Sequence, residues 1–445
     1  MKSARIITAS LLVLLLVSAC NKEKDSAAAK YKGVVLNEIA PHEDSKDMAT
    51  WVEIINNSEA SISLDGLSLF ITDNYFDGQL LAELSGSLAA GERKVISTED
   101  GGLRTGFASN VEFSLVLGPS NSDPVDKFEH KASDPSLGNF ASWQRIPDGT
   151  GEIRKLTYNS KGRENTIFDI SKTRPTAVWT WGAHMTDLLE NDAAKLKQLK
   201  QKGYDHIVLN YAAFGSAPNQ KSARSLIPLC DELGLTVHVW LQCFYNGGWE
   251  SPIDDEKKAY KEEVFERIRN EAIGYIENWG VKGVHLDYIR FGGTASKHDY
   301  SYEVNSVAAV NRCCREIREI TDSYDEGLVT SAALMPETHA IDAYGQNPKQ
   351  MAQYIHILMP MIYRYGSYNF SDEGFQSRSD FFADQAAAHD AVSWSGIQTY
   401  NANNSGMTAE ELRRDIDLIA ATKAQGVILF RYQLGTFPDI NDLYN

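Results

Sequence analysis

Between Gly283 and Gly293 the sequence reads GVHLDYIRFGG, an apolar run at Val284, Leu286 and Ile289 that carries His285 and Asp287 in its middle and Arg290 near its end. Burying an unpaired charge costs several kcal/mol or shifts its pKa. The three ionisable residues therefore either satisfy one another as a structural triad or face a cavity. A second carboxylate, Glu337, follows the apolar end of ALMPETH, with His339 beyond it. Two carboxylates on neighbouring strands are what cleavage of a glycosidic bond requires. One protonates the leaving oxygen; the other attacks as a nucleophile at about 5–5.5 Å or activates water at about 6.5–9.5 Å. Asp287, with Arg290 close by in sequence, is expected to stay ionised and suits the nucleophile or stabiliser. Glu337, beside Met335 and Pro336, is expected to keep its proton and act as acid.

The elements that must position this pair begin near residue 170. TAVWTWG, HIVLNY, TVHVWLQCF, GVHLDYI, LVTSAALMP, HILMPMIY, VSWSGIQTY and GVILFRYQL read as strands, each but the last followed by a helical stretch. Strand alternating with helix implies right-handed parallel units, and eight of them in this length predict a (β/α)8 TIM barrel. Gly203, Gly234, Gly280 and Gly426 are read as helix C-caps. No Gly-rich phosphate loop follows the first strand, which argues against an open dinucleotide-binding sheet. In such a barrel reactive groups lie where strands end. Alternation along the strands turns His285 and Asp287 to the axis, Asp287 at the mouth and His285 one layer below, where it is expected to orient Asp287. The same parity turns His238, Trp240 and Gln242 inward. The other strand ends deliver Trp179, Trp181 and His184, Asn210, Met361, Tyr363 and Arg364, Gln398 and Tyr400, and Arg431, Tyr432 and Gln433. Aromatic faces stack on sugar rings, while amides and guanidinium groups satisfy hydroxyls. The expected substrate-binding set is Trp181, Asn210, Trp240, Gln242, His285, Arg290, Tyr363, Gln398 and Tyr432, with Asp287 and Glu337 catalytic.

The rest of the chain narrows the class. Its 445 residues, 43% of them apolar, suffice for two or three cores. A basic start, MKSAR, precedes the apolar IITASLLVLLLV and LVSAC, the plan of an export leader too short to span as a membrane helix. Removing that leader removes Lys2 and Arg5 and takes the formal charge from −17 to −19. A protein this acidic, with no basic run, is not expected to bind nucleic acid. Cys230, Cys243, Cys313 and Cys314 are not spaced as a disulfide framework or a zinc site, and Cys313 and Cys314 are expected on different helix faces. Residues 31 to about 168 hold short strand-like runs punctuated by Asn, Asp, Ser and Gly, which predict an antiparallel β-sandwich. Trp51 and Trp143 are read as packing there, and Asp73, Asp77, Asp123 and Asp126 as solvated.

Three resemblances sharpen this. LVSAC resembles the lipobox of bacterial lipoproteins, which implies cleavage before Cys20, lipidation of Cys20 and an outer-membrane anchor; the charged NKEKDSAAAK tether is similar to the surface-export signals of Bacteroidota lipoproteins. VVLNEIAP, WVEIINNS, ISLDGLSL, AGERKVIS and SWQRIPDGTG, in that order, resemble a lamin-tail domain, an immunoglobulin-like sandwich. GVHLDYIRF with the DYSYEVN segment and LMPMIY resembles bacterial glycosyl-hydrolase-like barrels; Gly292 stands where their strand-four pattern usually has Pro. The expected organisation is a signal peptide over 1–19, a tether over 20–30, a lamin-tail-like sandwich over 31–168 and the barrel over 172–445. The expected function is cleavage of an oligo- or polysaccharide by an exported, lipid-anchored enzyme without cofactor or metal, its partners a glycan and the membrane. A non-catalytic glycan-binding lipoprotein would keep the aromatic rim and tolerate loss of Asp287 or Glu337. A metal-dependent barrel hydrolase usually needs clustered His and Asp at strand ends, where the first strand has Trp179 and Trp181.

Overall fold

The computed structural model describes residues 27–42, 48–73, 78–131, 133–134, 136–338 and 341–444. The leader, Cys20, Asp77 and His339 lie outside them. Among the described residues no helix is long and apolar enough to cross a membrane.

The N-terminal part is two antiparallel sheets around one apolar core. Strands Val34–Ala40, Trp51–Asn56, Arg93–Ser97, Ser142–Ile146 and Glu152–Leu156 form a five-stranded sheet, and Ser68–Asp73, Gln79–Glu83, Phe113–Gly118 and Asp126–His130 a four-stranded one. Leu36 and Ile54 from the first sheet meet Leu69, Leu115 and Leu117 from the second, and Trp143 closes the core. A bulge between Leu36 and Glu38 breaks the pairing register. It lets Asn37 and Glu38 both be buried. Asn37 Nδ2 donates to Glu53 Oε1 at 2.7 Å and its Oδ1 accepts from Gly149 N at 2.9 Å. Glu38 accepts from Ser142 Oγ, Ser160 N and Ser160 Oγ at 2.6–2.9 Å. Asp126, instead of being solvated, accepts from Leu36 N and Arg145 at 2.9 Å.

From Thr176 onward eight parallel strands close into a barrel: Thr176–Thr180, His206–Asn210, Thr236–Gln242, Gly283–Asp287, Val329–Leu334, Ile357–Pro360, Val392–Gln398 and Gly426–Phe430. Long helices follow strands one to four, six and seven. Strand five is followed by the short Ile341–Tyr344 and Pro348–Met351. Helix Glu262–Trp279 starts on acidic Glu262 and Glu263, which suit the positive end of its dipole, and ends on Gly280 at φ +60. Gly426, read as a cap, is instead the first residue of strand eight, where a Cβ would lie 2.2 Å from Pro175 O. Cys313 and Cys314 are both buried thiols facing the barrel's outer core.

Alternation sends Val237, Val239 and Leu241 to the helices. Ala177, Trp179, Val208, Trp240, Ile357, Met359, Trp394 and Ile428 fill the axis. Two imidazoles at this depth pair with each other, leaving His238 Nδ1 without a partner among the described residues. His206 and His238 share a hydrogen bond at 3.0 Å, and Thr173 Oγ1 meets His206 Nε2 at 2.9 Å. Burial pushes His206 down to about 3 and keeps His238 neutral as well.

The sandwich docks on the face opposite the strand ends: of the barrel residues it bonds or stacks with, Glu326 precedes strand five, while Asp231 and Trp279 stand at helix ends. Glu326, just before strand five, accepts from Thr157 N at 3.0 Å and Thr157 Oγ1 at 2.5 Å. Phe140 stacks on Trp279 at 5.9 Å, and Arg163 and Lys282 both reach Asp231. Burial raises Glu326 to about 7, against the hydrogen bonds from Thr157. A carboxyl raised on folding binds more protons in the native chain, so its stabilisation is complete below its unfolded pKa of about 4.3 and is lost as pH rises toward 7. The stability of the parent relative to Glu326→Gln should therefore fall by about 1 kcal/mol per pH unit from pH 5 to 7. Urea unfolding at both pH values measures this, and a pH-independent difference would mean Glu326 is ionised throughout.

Candidate active site

Strand four ends at Asp287, and the chain then turns sharply. Tyr288 has φ +51, a left-handed conformation that a bulky side chain adopts only at a cost. The turn ends the pleat, so Tyr288 does not continue the alternation to the outer face and packs at 4.7 Å from Tyr245 and 5.6 Å from Trp249. It also aims Tyr288 N at Asp287 Oδ1, 2.7 Å away, while Trp240 Nε1 donates to Oδ2 at 2.9 Å. Trp240 is the inward residue of strand three whose register partner is His285, one layer below Asp287. Gln242 is the register partner of Asp287 itself.

Around this carboxylate the mouth is aromatic. Phe430, at the end of strand eight, lies 5.4 Å from Tyr363 in a stacked pair, 6.0 Å from Trp179 and 6.4 Å from both Trp240 and Tyr400. Desolvation by this wall raises Asp287 above the ordinary carboxylate range, outweighing the Tyr288 and Trp240 donors and the charge of Arg290. The shift runs opposite to the one expected from Arg290 alone, because burial outweighs its charge. Arg290 makes no ion pair with it. The guanidinium lies 4.7 Å above the ring of Trp249 and 5.4 Å from that of Tyr344, with Nε buried and unpartnered. Gly292 makes this possible: a Cβ there would sit 2.7 Å from the Trp249 indole, so the Pro of the resembling pattern would displace Trp249.

Glu337 lies just past strand five. Tyr368 donates to its Oε1 at 2.8 Å, and its Oε2 is buried with no hydrogen-bond partner among the described residues. Tyr344 stands beside it, its hydroxyl pKa raised by burial and then by the Glu337 charge. Asp287 and Glu337 are not in contact; Arg290 and Tyr344 connect their surroundings.

Of the remaining expected contacts, Trp181 is 41% exposed at the rim and Tyr363 lines the mouth. Asn210 is partly exposed, but its Oδ1 caps the next turn by accepting from Ala212 N at 3.0 Å. Three do not face a substrate. His285 is fully buried, its Nε2 accepting from Trp179 Nε1 at 3.1 Å and its Nδ1 donating to Ser331 Oγ at 2.9 Å. It is neutral, pushed down to about 3 by burial and then by His238, and it supports the axis instead of orienting Asp287. Gln398 is buried, its amide fixed between Tyr365 N and Tyr400 O. Tyr432 is buried and donates its hydroxyl to Asp187 at 2.6 Å. Arg364 is held by Asp415 and Asp372 at 2.9 and 2.6 Å, away from the mouth.

The expected set omitted Phe430, Tyr344 and Tyr368. Phe430 was within reach, since Ile428 and Phe430 alternate inward in GVILF just as Trp240 does in its strand. Tyr344 and Tyr368 sit after strands five and six, where no periodicity points to them. Among the described residues no three His, Cys, Asp or Glu are grouped to hold a metal ion.

No family model matches the sequence, and no curated protein matches it. Among solved structures the chain is similar to the PgaB (BpsB) glycoside hydrolase domain from Bordetella bronchiseptica, at 11% identity and TM-score 0.41 over 58% of this chain and 94% of that one. It is also similar to the Bacillus megaterium spore cortex-lytic enzyme SleL, at 13% and 0.40 over 62% and 75%. A third likeness is to Bacteroides uniformis beta-glucuronidase, at 11% and 0.37 over 90% of this chain; the chain spans about half, 47%, of that protein's length.

The arrangement can hold one desolvated carboxyl and one carboxylate with a free oxygen in an aromatic cleft. Trp240→Phe removes the donor to Asp287 Oδ2 while keeping the ring's bulk. It should raise the Asp287 pKa further and destabilise the fold by about 1–3 kcal/mol. Carboxyl-carbon NMR titration and urea unfolding read the two effects; an unmoved Asp287 titration would show that the indole N–H does not serve it.

Proposed function

We propose that the protein is a glycoside hydrolase acting on an oligo- or polysaccharide with two carboxylates and no metal. The observation that carries this is the desolvated Asp287 carboxyl at the end of strand four, facing a mouth walled by Phe430, Tyr363, Tyr400 and Trp240. Aromatic walls suit sugar faces, and a carboxyl whose pKa is raised suits proton donation. Asp287 then holds the proton delivered to the leaving oxygen. Glu337, with Oε2 free, supplies the lone pair for the anomeric carbon or its water. These roles are exchanged relative to the expectation from sequence, because burial outweighs Arg290 at Asp287. Tyr368 fixes Glu337, and Trp240 and Tyr288 fix Asp287.

In this reading the protein is exported and held at the outer membrane by lipid on Cys20, with the lamin-tail-like sandwich as spacer. The sandwich occupying the closed face of the barrel supports that placement, since a chain tethered through it leaves the mouth free. A non-catalytic glycan-binding lipoprotein is the second reading. It would keep the aromatic mouth and tolerate loss of either carboxylate.

Released saccharides from a broad polysaccharide panel test the proposal. Asp287→Asn and Glu337→Gln, confirmed folded, should each lower turnover by about 100-fold or more. Because the acid must be protonated, parent activity should fall as pH rises through the raised Asp287 pKa, leaving an alkaline limb above the ordinary carboxylate range. Overnight chelator should leave turnover unchanged. Wild-type turnover in both variants sinks the two-carboxylate mechanism, and binding without release by the parent favours the second reading.

A further inference from the structure

Most arginines of the barrel sit on a carboxylate: Arg267, Arg269, Arg312, Arg318, Arg364 and Arg413 are all ion-paired. The two at the mouth are not. Arg431 follows strand eight and lies 3.9 Å above the ring of Trp181. Its Nη1 donates to His184 Nε2 at 3.2 Å and to Tyr432 O at 3.3 Å. Both acceptors are neutral, since His184 accepts through Nε2 and burial, then Arg431 itself, lowers its pKa. Asp187, a carboxylate near His184, is already taken by Lys195 and the Tyr432 hydroxyl. Arg431 is therefore oriented without being neutralised, and burial lowers its own pKa. Arg290, beyond strand four, is caged by aromatic rings with its Nε unpartnered. Strands four and eight lie across the barrel from one another, so the two cations flank the mouth that holds Asp287.

A guanidinium held in place with its charge uncompensated, beside a half-exposed indole, matches a ring bearing a planar anion. The charge-assisted, forked hydrogen bonds go to the acid group and the indole takes the sugar face. The chain's formal charge of −17 repels an anionic polymer at long range, which makes local cations at the mouth a requirement for binding one. We propose that the substrate is an acidic glycan bearing carboxylate or sulfate groups, with Arg431 on Trp181 reading the acid group and Arg290 as the second cation. This rests on the mouth being a glycan site.

The test uses the purified full-length protein with matched pairs: polygalacturonate and alginate against their carboxyl-reduced forms, and chondroitin sulfate against its desulfated form. Affinity and released saccharides are measured for the parent, Arg431→Gln and Arg431→Lys, with unfolding midpoints confirming that each variant folds. The parent should favour the acidic member of at least one pair, and which pair responds separates carboxylate from sulfate. Arg431→Gln should weaken the acidic member about tenfold or more beyond its effect on the neutral one, with partial recovery in Arg431→Lys. Equal losses on both members, or a parent that prefers neutral glycans, overturns the acidic-substrate inference while leaving a glycan site standing. No binding or release with any glycan overturns both.

Discussion

Closing eight parallel strands into a barrel forces every second side chain of each strand toward one axis, where polar atoms are buried among packed side chains. The structure meets that constraint by pairing polar groups within the interior. Trp179 Nε1 meets His285, His285 meets Ser331, and His206 meets His238 and Thr173. Each imidazole is neutral because a charged one at that depth would have no compensating anion. Asp287 is the layer where this pattern ends. It has N–H donors on both oxygens but no counter-ion within bonding distance, and so it carries a raised pKa. The chemistry proposed for the mouth depends on that transition from an interior of paired neutral groups, with His238 Nδ1 and Thr180 Oγ1 left unpartnered among the described residues, to a rim that holds a carboxyl without a counter-ion.

The rim is largely aromatic. Phe430 is its centre, touching aromatic side chains from strands one, three, six and seven. On one side Trp249 folds over Arg290, allowed by the missing side chain at Gly292; on the other Arg431 lies over Trp181. Both cations rest on aromatic faces, an attraction of roughly 0.5–2 kcal/mol that leaves the charge available to a ligand.

The sandwich contributes to none of this directly. Its bulge at Leu36 and Glu38 organises a buried polar network reaching Ser160, and the segment after it plants Thr157 and Tyr158 on Glu326. Bonds of this kind at the closed end leave the open end unobstructed.

The sequence by itself determined the barrel, the two-sheet domain before it and the place of Asp287, because periods of two and 3.6 and the strand-helix alternation are local properties of the chain. The same parity was sufficient for Trp240 and would have been for Phe430. It was not sufficient for Tyr288, where a left-handed residue ends the pleat. Only the tertiary structure decided which polar side chains remain free. His285, Gln398 and Tyr432 have the residue types of a sugar site, yet each is occupied by a partner from a distant part of the chain: Ser331, Tyr365 N and Asp187. It likewise decided the direction of the Asp287 shift, because desolvation depends on everything packed around a carboxyl, whereas sequence proximity showed only Arg290.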